Sequence, residues 1–305
     1  MTTVLPIARY QFNFEVENSI RLPEYAGSML RGAFGRALRH IACMTRQKDC
    51  TTCPLYHSCP YPAIFETPAP ETHTLQKFSQ IPNPYIIEPP AWGERVYHPG
   101  EQIQFNVVLF GRSLTQLPMI TFAWQRAFAQ EVGHGTARLQ TIHQLTDAAA
   151  TSIFDTKTQR IQPHTQSIIL SPISSNSMTL HFTTPLRIQQ NGSPIRADQL
   201  TARNLFITLA RRIALMFEFH TESPYQIDFA NIATDIHSVT DVRNLTWLDW
   251  TRYSSRQKQT MQLGGAVGKW TLDNLSPTLT HLLQLGQWIH VGKNATFGLG
   301  KYDIH

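Results

Sequence analysis

The chain has 305 residues, with 26 lysines and arginines against 21 aspartates and glutamates, a formal net charge of +5; only 15% of its residues are charged. Hydrophobic residues at 42% and aromatics at 10% supply a sizeable core and exclude a disordered chain, and at about 100–200 residues per domain the length points to two domains. The longest apolar run, 205–219, is broken by Arg211 and Arg212, which excludes a bilayer-spanning helix and a membrane role for it. The opening MTTVLPIARYQFNFEVEN has no basic stretch leading into an apolar one, so a cytoplasmic protein is expected. A positive balance on so few charges implies a local basic surface and favours a polyanionic partner.

In chain order, Tyr10, Phe12, Phe14 and Val16 alternate with Gln11, Asn13, Glu15 and Glu17, the period-two pattern of a half-buried strand. After Pro23, residues 25–42 read as a helix. Leu30, Ala33, Phe34, Ala37, Leu38 and Ile41 keep three-four spacing, with Arg31, Arg36, Arg39 and His40 elsewhere on the cylinder. A cysteine-bearing loop at 43–62 and a proline-rich extended passage follow. A strand is expected at 102–110, a helix at 114–131 ended by Gly133-His134-Gly135, and a strand at 137–145. That is the order of a ferredoxin-like β-α-β-β-α-β unit. The second half repeats the theme: a strand at 178–188, a helix at 198–219, strands at 246–253 and 258–263, a helix at 277–285 and a last strand at 288–292. The expected fold is therefore α+β, two tandem ferredoxin-like domains. The first spans 1–165 with the cysteine-rich loop inserted; the second spans 166–305 and closes on a glycine-rich loop at 290–302.

That terminal loop reads His290-Val291-Gly292-Lys293-Asn294-Ala295-Thr296-Phe297-Gly298-Leu299-Gly300-Lys301-Tyr302. Glycines let a main chain approach a ligand and aim consecutive N–H groups at an anion, and Lys293 and Lys301 add charge at both edges. The order is neither that of a nucleotide P-loop nor that of a dinucleotide fingerprint, since no helix follows. A glycine hairpin without a ligand fits the spacing equally well.

Upstream lie RYSSRQ at 252–257 and Met261-x-Leu263-Gly264-Gly265-x-x-Gly268. Together with HVGK-x-x-x-FGLG-x-Y at the end, these closely resemble the carboxyl-terminal half of the CRISPR repeat-cleaving endoribonucleases, the Cas-six type of the RAMP superfamily. The resemblance takes in Tyr25-Ala26-Gly27 leading into LRGAFGRALR, and Gly133-x-Gly135-x-x-Arg138. It implies tandem ferredoxin-like domains with a basic face for RNA. The implied reaction is metal-independent cleavage within the repeat, leaving a 2′,3′-cyclic phosphate and a 5′-hydroxyl. The cut guide is then retained for a CRISPR effector complex, so repeat RNA and other Cas subunits are the implied partners.

Attack by the RNA's own 2′-hydroxyl needs a base, an acid for the leaving 5′-oxygen and charge stabilisation at phosphorus, and histidine can supply the proton transfers. The family places its catalytic histidine on or just after the first helix, with a tyrosine near that helix's start. The matching positions here are His40 and Tyr25. Arg36 lies four residues before His40, on the same helix face, where it would meet the negative phosphorane; Arg39 is a second basic neighbour. His290, entering the glycine loop beside Lys293, is the alternative catalytic histidine, and a plain helix-terminal role for His40 is the structural alternative. RNA contacts are expected from Arg39, from Arg252, Tyr253, Ser255 and Arg256, as phosphate donors around one stacking ring, and from Gly292, Lys293, Gly298, Gly300 and Lys301.

All four cysteines of the chain fall within 17 residues, at Cys43, Cys50, Cys53 and Cys59, spaced C-x6-C-x2-C-x5-C. Disulfides are disfavoured in a cytoplasmic chain, and a C-x2-C pair is the usual start of a tetrahedral thiolate site. A structural Zn²⁺ is expected, with an iron–sulfur cluster or buried free thiols as the alternatives. A four-thiolate site is coordinatively full and serves as a staple, not as catalyst. Two other functions share these features: a non-catalytic RAMP subunit that holds guide RNA, and a zinc-stabilised scaffold. The charge has two addresses, since residues 21–48 and 252–301 each carry six basic residues and one acidic.

Overall fold

A computed structural model describes residues 3–70, 81–223, 225–254 and 259–305. The chain divides into two units, one of residues 5–168 with 219–222 and one holding 169–218 with 223–305.

In the amino-terminal unit the alternating segment forms the long central strand β1 (Ile7–Asn18), whose inward side chains are fully buried. The helix α1 (Gly27–Ala42) follows, starting two residues later than the pattern suggests. A short helix α2 (Pro60–Phe65) lies beyond the cysteine loop, and then come β2 (Tyr85–Glu88), β3 (Gln102–Phe110), α3 (Leu117–Gln130), β4 (Thr136–Leu145) and the edge strand β5 (Ala150–Ser152). The sheet order is β2-β3-β1-β4-β5, with every pair antiparallel. Without β5 this is the ferredoxin-like arrangement. Helices α1 and α3 cover one face of the sheet with an aromatic core. Phe14 stacks on Phe128 at 4.2 Å and Phe34 on Trp124 at 4.9 Å, and Phe105 lies 4.7 Å from Trp124. Each fully buried ring of this kind is worth about 1.5–3 kcal/mol. Burying Leu30, Ala33, Phe34, Ala37 and Leu38 leaves the opposite stripe of α1 to face outward.

The carboxyl-terminal unit runs β6 (Met178–Leu186), α4 (Ala202–His220), a short α5 (Phe229–Asp235) capped by the Asp228 carboxylate, β7 (Thr240–Leu248), β8 (Thr251–Ser254), β9 (Gln259–Gln262), β10 (Gly265–Asp273), α6 (Pro277–Ile289) and β11 (Tyr302–Ile304). The sheet order β7-β10-β6-β11 again gives the ferredoxin-like topology, while β8 and β9 make a separate antiparallel hairpin. Two expectations fail here. The strand expected at 246–253 is divided between β7 and β8 and the one expected at 258–263 is the hairpin strand β9, while the strand inside the sheet is β10, anchored by Ala266, Trp270 and Leu272 in the core. The expected strand at 288–292 is instead the end of α6 and a turn, and the strand that completes the sheet is β11. Of the paired arginines on α4, Arg211 is exposed and Arg212 turns inward, donating Nε to the Ile289 carbonyl at 2.9 Å. Among the described residues no helix is long and apolar enough to cross a membrane.

Candidate nucleic-acid interface

The outward stripe of α1 carries Gly32, Arg36 and His40 at four-residue spacing, and both Arg36 and His40 are exposed. Gly32 has no side chain to fill the stripe. The Arg36 guanidinium folds back along the helix, its Nη1 3.5 Å from where a Cβ on Gly32 would lie. A phosphodiester laid on this stripe meets a cation in the middle and an imidazole at the carboxyl-terminal end. The open space at Gly32 was not read from the sequence; it becomes legible once the buried face of α1 is fixed.

The residues around this stripe differ from expectation in two ways. Tyr25 is only 3% exposed, with its ring 4.7 Å from that of Trp92. Burial, reinforced by the negative charge of Glu88, holds its phenol well above the ordinary tyrosine range, so it neither meets RNA at the surface nor sheds a proton near neutrality. Tyr25 anchors the entry to α1. Arg39 donates to the carbonyls of Gln47 and Lys48, both at 2.8 Å, and its guanidinium lies over the Tyr61 ring at 5.7 Å. It braces the cysteine loop against the helix that carries His40. His134 is an exposed turn residue beside Glu131.

The glycine loop is folded on itself and on β6. Val291 N–H donates to Gly300 O, Lys293 N–H to Arg187 O, Gly298 N–H to Ala295 O and Gly300 N–H to Pro185 O. The Thr184 hydroxyl donates to Gly298 O at 2.8 Å and accepts from Lys301 N–H at 2.9 Å. Gly298 and Gly300 are buried, so their amides are not presented to an anion. Gly300 has φ +71, and a Cβ there would stand 1.8 Å from Val291 O; at Gly292, φ +89, it would stand 2.5 Å from Arg187 O. These glycines are required by close backbone packing. What the loop offers to solvent is the exposed Lys293 flanked by the partly exposed Gly292, Asn294 and Thr296, with Lys301 also partly exposed. His290 is 0% exposed, at φ +58 where α6 ends, with Nδ1 3.3 Å from Leu299 O. Of the two candidate catalytic histidines, His290 is enclosed and His40 is exposed. Arg252 and Tyr253 lie on strand β8; Ser255 and Arg256 lie outside the described residues.

Cys43, Cys50, Cys53 and Cys59 all line one small cavity of about 20 Å³ at the end of α1. No disulfide joins them, and burial pushes the Cys50 thiol up. Among the described residues no group of three or more histidine, cysteine, aspartate or glutamate side chains is arranged to hold a metal ion.

Two family models match the chain: AF_1859_N, described as an N-terminal domain, over residues 5–166, and CRISPR-associated endoribonuclease Cas6 over residues 180–302. An uncharacterized protein of Archaeoglobus fulgidus is 23% identical over 292 residues, which covers 93% of this chain and 92% of that protein. A product complex of Thermus thermophilus Cas6 has the same fold, with a TM-score of 0.56 at 14% identity over 98% of this chain and 100% of that one. A second Cas6 product complex gives a TM-score of 0.52 at 18% identity over 99% and 100%. The carboxyl-terminal unit thus carries a CRISPR-associated Cas6 endoribonuclease domain, on a chain whose fold along its whole length is that of solved Cas6 proteins.

Proposed function

We propose that this chain cleaves precursor CRISPR RNA within the repeat, by attack of the RNA 2′-hydroxyl, leaving 2′,3′-cyclic phosphate and 5′-hydroxyl ends, without a catalytic metal. The observation that carries the reading is the exposed Arg36–His40 pair on α1, set against the full enclosure of His290. His40 exchanges the proton with the reacting oxygens, a contribution of about 10²–10⁴-fold for positioned acid–base catalysis. Arg36 swings from its position along the helix to the phosphate, where its charge offsets that developing in the transition state. Tyr25 acts indirectly, by fixing the start of the helix. Lys293 and Lys301 hold the backbone of the RNA by charge, with Arg252, Tyr253, Ser255 and Arg256 as further contacts. The cleaved guide stays bound and passes to other Cas subunits.

The test is a brief single-turnover assay of the full chain with its repeat RNA in EDTA, followed by analysis of the product ends. A cyclic phosphate that disappears in His40→Ala supports the reading. Tight binding with no cleavage identifies a guide-holding subunit instead, and absence of salt-dependent RNA affinity identifies a scaffold.

A further inference from the structure

The cavity at the end of α1 has no part in the proposed cleavage, and its lining is chemically unusual. It contains every cysteine of the chain. The rest of its wall, including Met44, Leu55 and Pro62, supplies no carboxylate and no histidine. The thiols are delivered from three places. Cys43 is the residue that ends α1, its N–H bonded to Arg39 O; Cys59 is the residue that starts α2; Cys50 and Cys53 come from one turn between them, closed by Cys53 N–H to Cys50 O at 3.1 Å.

We propose that Cys43, Cys50, Cys53 and Cys59 bind one zinc ion, which staples the end of α1 to the start of α2. The donor set selects the class of metal: thiolates alone suit zinc or iron and exclude the hard cations that need oxygen. The sulfurs ring the cavity without standing in a ligating array, so uptake of the ion draws the 43–59 loop inward and orders it, coupling binding to local folding. Arg39 already ties that loop to α1 through Gln47 and Lys48. Cys43 is three residues from His40, so the ion fixes the last turn of the helix that carries the exposed imidazole. Four thiolates fill the coordination sphere and leave no open position for substrate. The assignment does not rest on the RNA reading.

The experiment is metal analysis of the full chain purified without oxygen and without added metal. One zinc per chain, released only as four thiols are titrated with a mercurial and read by a chromogenic chelator, is the expected result. Replacement by cobalt should give the intense thiolate-to-cobalt charge-transfer absorption of a tetrahedral sulfur site. Cys50→Ser and Cys53→Ser should each lose at least tenfold in zinc content. Absence of stoichiometric metal, stoichiometric iron in place of zinc, or zinc that is released independently of the thiols would each overturn the proposal. The thiol-linked release is read on the unaltered chain, so a variant that fails to fold does not decide the matter.

Discussion

The last turn of α1 and the loop that follows α6 look alike in sequence. Each is basic, and each places a histidine at the end of a helix. The fold treats them in opposite ways. His40 stands exposed beside an open stripe at Gly32 and Arg36, whereas His290 is sealed under its own loop, with the neighbouring amides spent on Pro185, Arg187 and Gly300. A dense glycine motif can thus be dense because backbone packs on backbone, while a plainer helical segment keeps its polar groups free for a ligand. Motif density is a measure of constraint; exposure decides whether the constraint concerns a partner.

The largest expected effect tests that contrast directly. His40→Ala should lower single-turnover cleavage by about 10²–10⁴-fold and shift the urea midpoint by no more than about 0.5 kcal/mol equivalent, as for other surface changes. His290→Ala should do the reverse, costing roughly 1–3 kcal/mol through loss of a buried polar contact, with the folded fraction cleaving at the normal rate. An exchange of these two outcomes would sink the comparison.

Two glycines sharpen it. Gly300→Ala should destabilise the chain by about 3 kcal/mol or more in equilibrium unfolding, because the left-handed backbone and the Val291 carbonyl both oppose a side chain. Gly32→Ala should raise stability by about 0.5–1 kcal/mol, since it lies within a helix and its Cβ meets nothing nearer than the mobile end of Arg36. If RNA runs along the α1 stripe, the same Gly32→Ala change weakens repeat binding while the midpoint rises. A variant that gains stability and keeps its full affinity would move the RNA off this helix.

Much of this was legible in the sequence, for reasons that can be named. Period-two burial in Tyr10, Phe12, Phe14 and Val16 and three-four spacing in Leu30 to Leu38 report which face is apolar, and one-sided burial is what defines β1 and α1. The pattern fails where a strand is buried on terms set by its neighbours. In β10, Gly265 is forced by the carbonyl of Leu186 and Gly268 by that of Asn244, so a strand between two others begins on glycines that carry no strand pattern of their own. Trp288 and Ile289 look like a strand start because the apolar run continues, yet Gly286, which accepts from His290 N–H, keeps them helical. For the site, the basic and histidine-bearing stripe of α1 was readable, since helix faces follow from spacing alone. The enclosure of His290 and Tyr25 was not, because the loop that returns Leu299 to His290 is held by the distant 184–187 segment, and Trp92 is remote from Tyr25 in sequence.

The smallest expected effect concerns what the glycine loop still offers to solvent. Lys293 is exposed at its tip, and a phosphate contact made by one lysine contributes about 0.7–0.9 to the slope of log affinity against log salt. Lys293→Ala should therefore reduce that slope by about one ion, lower RNA affinity uniformly across repeat sequences, and leave the cleavage rate of the bound complex unchanged. Filter binding at a series of salt concentrations measures it. A slope that does not move would leave the loop purely architectural, with its amides and its exposed Lys293 both irrelevant to RNA. The holding of the backbone would then pass to Arg252 and its neighbours. A slope that falls together with the cleavage rate would mean that Lys293 positions the scissile phosphate, and the separation drawn between a cutting helix and a holding loop would have to be given up.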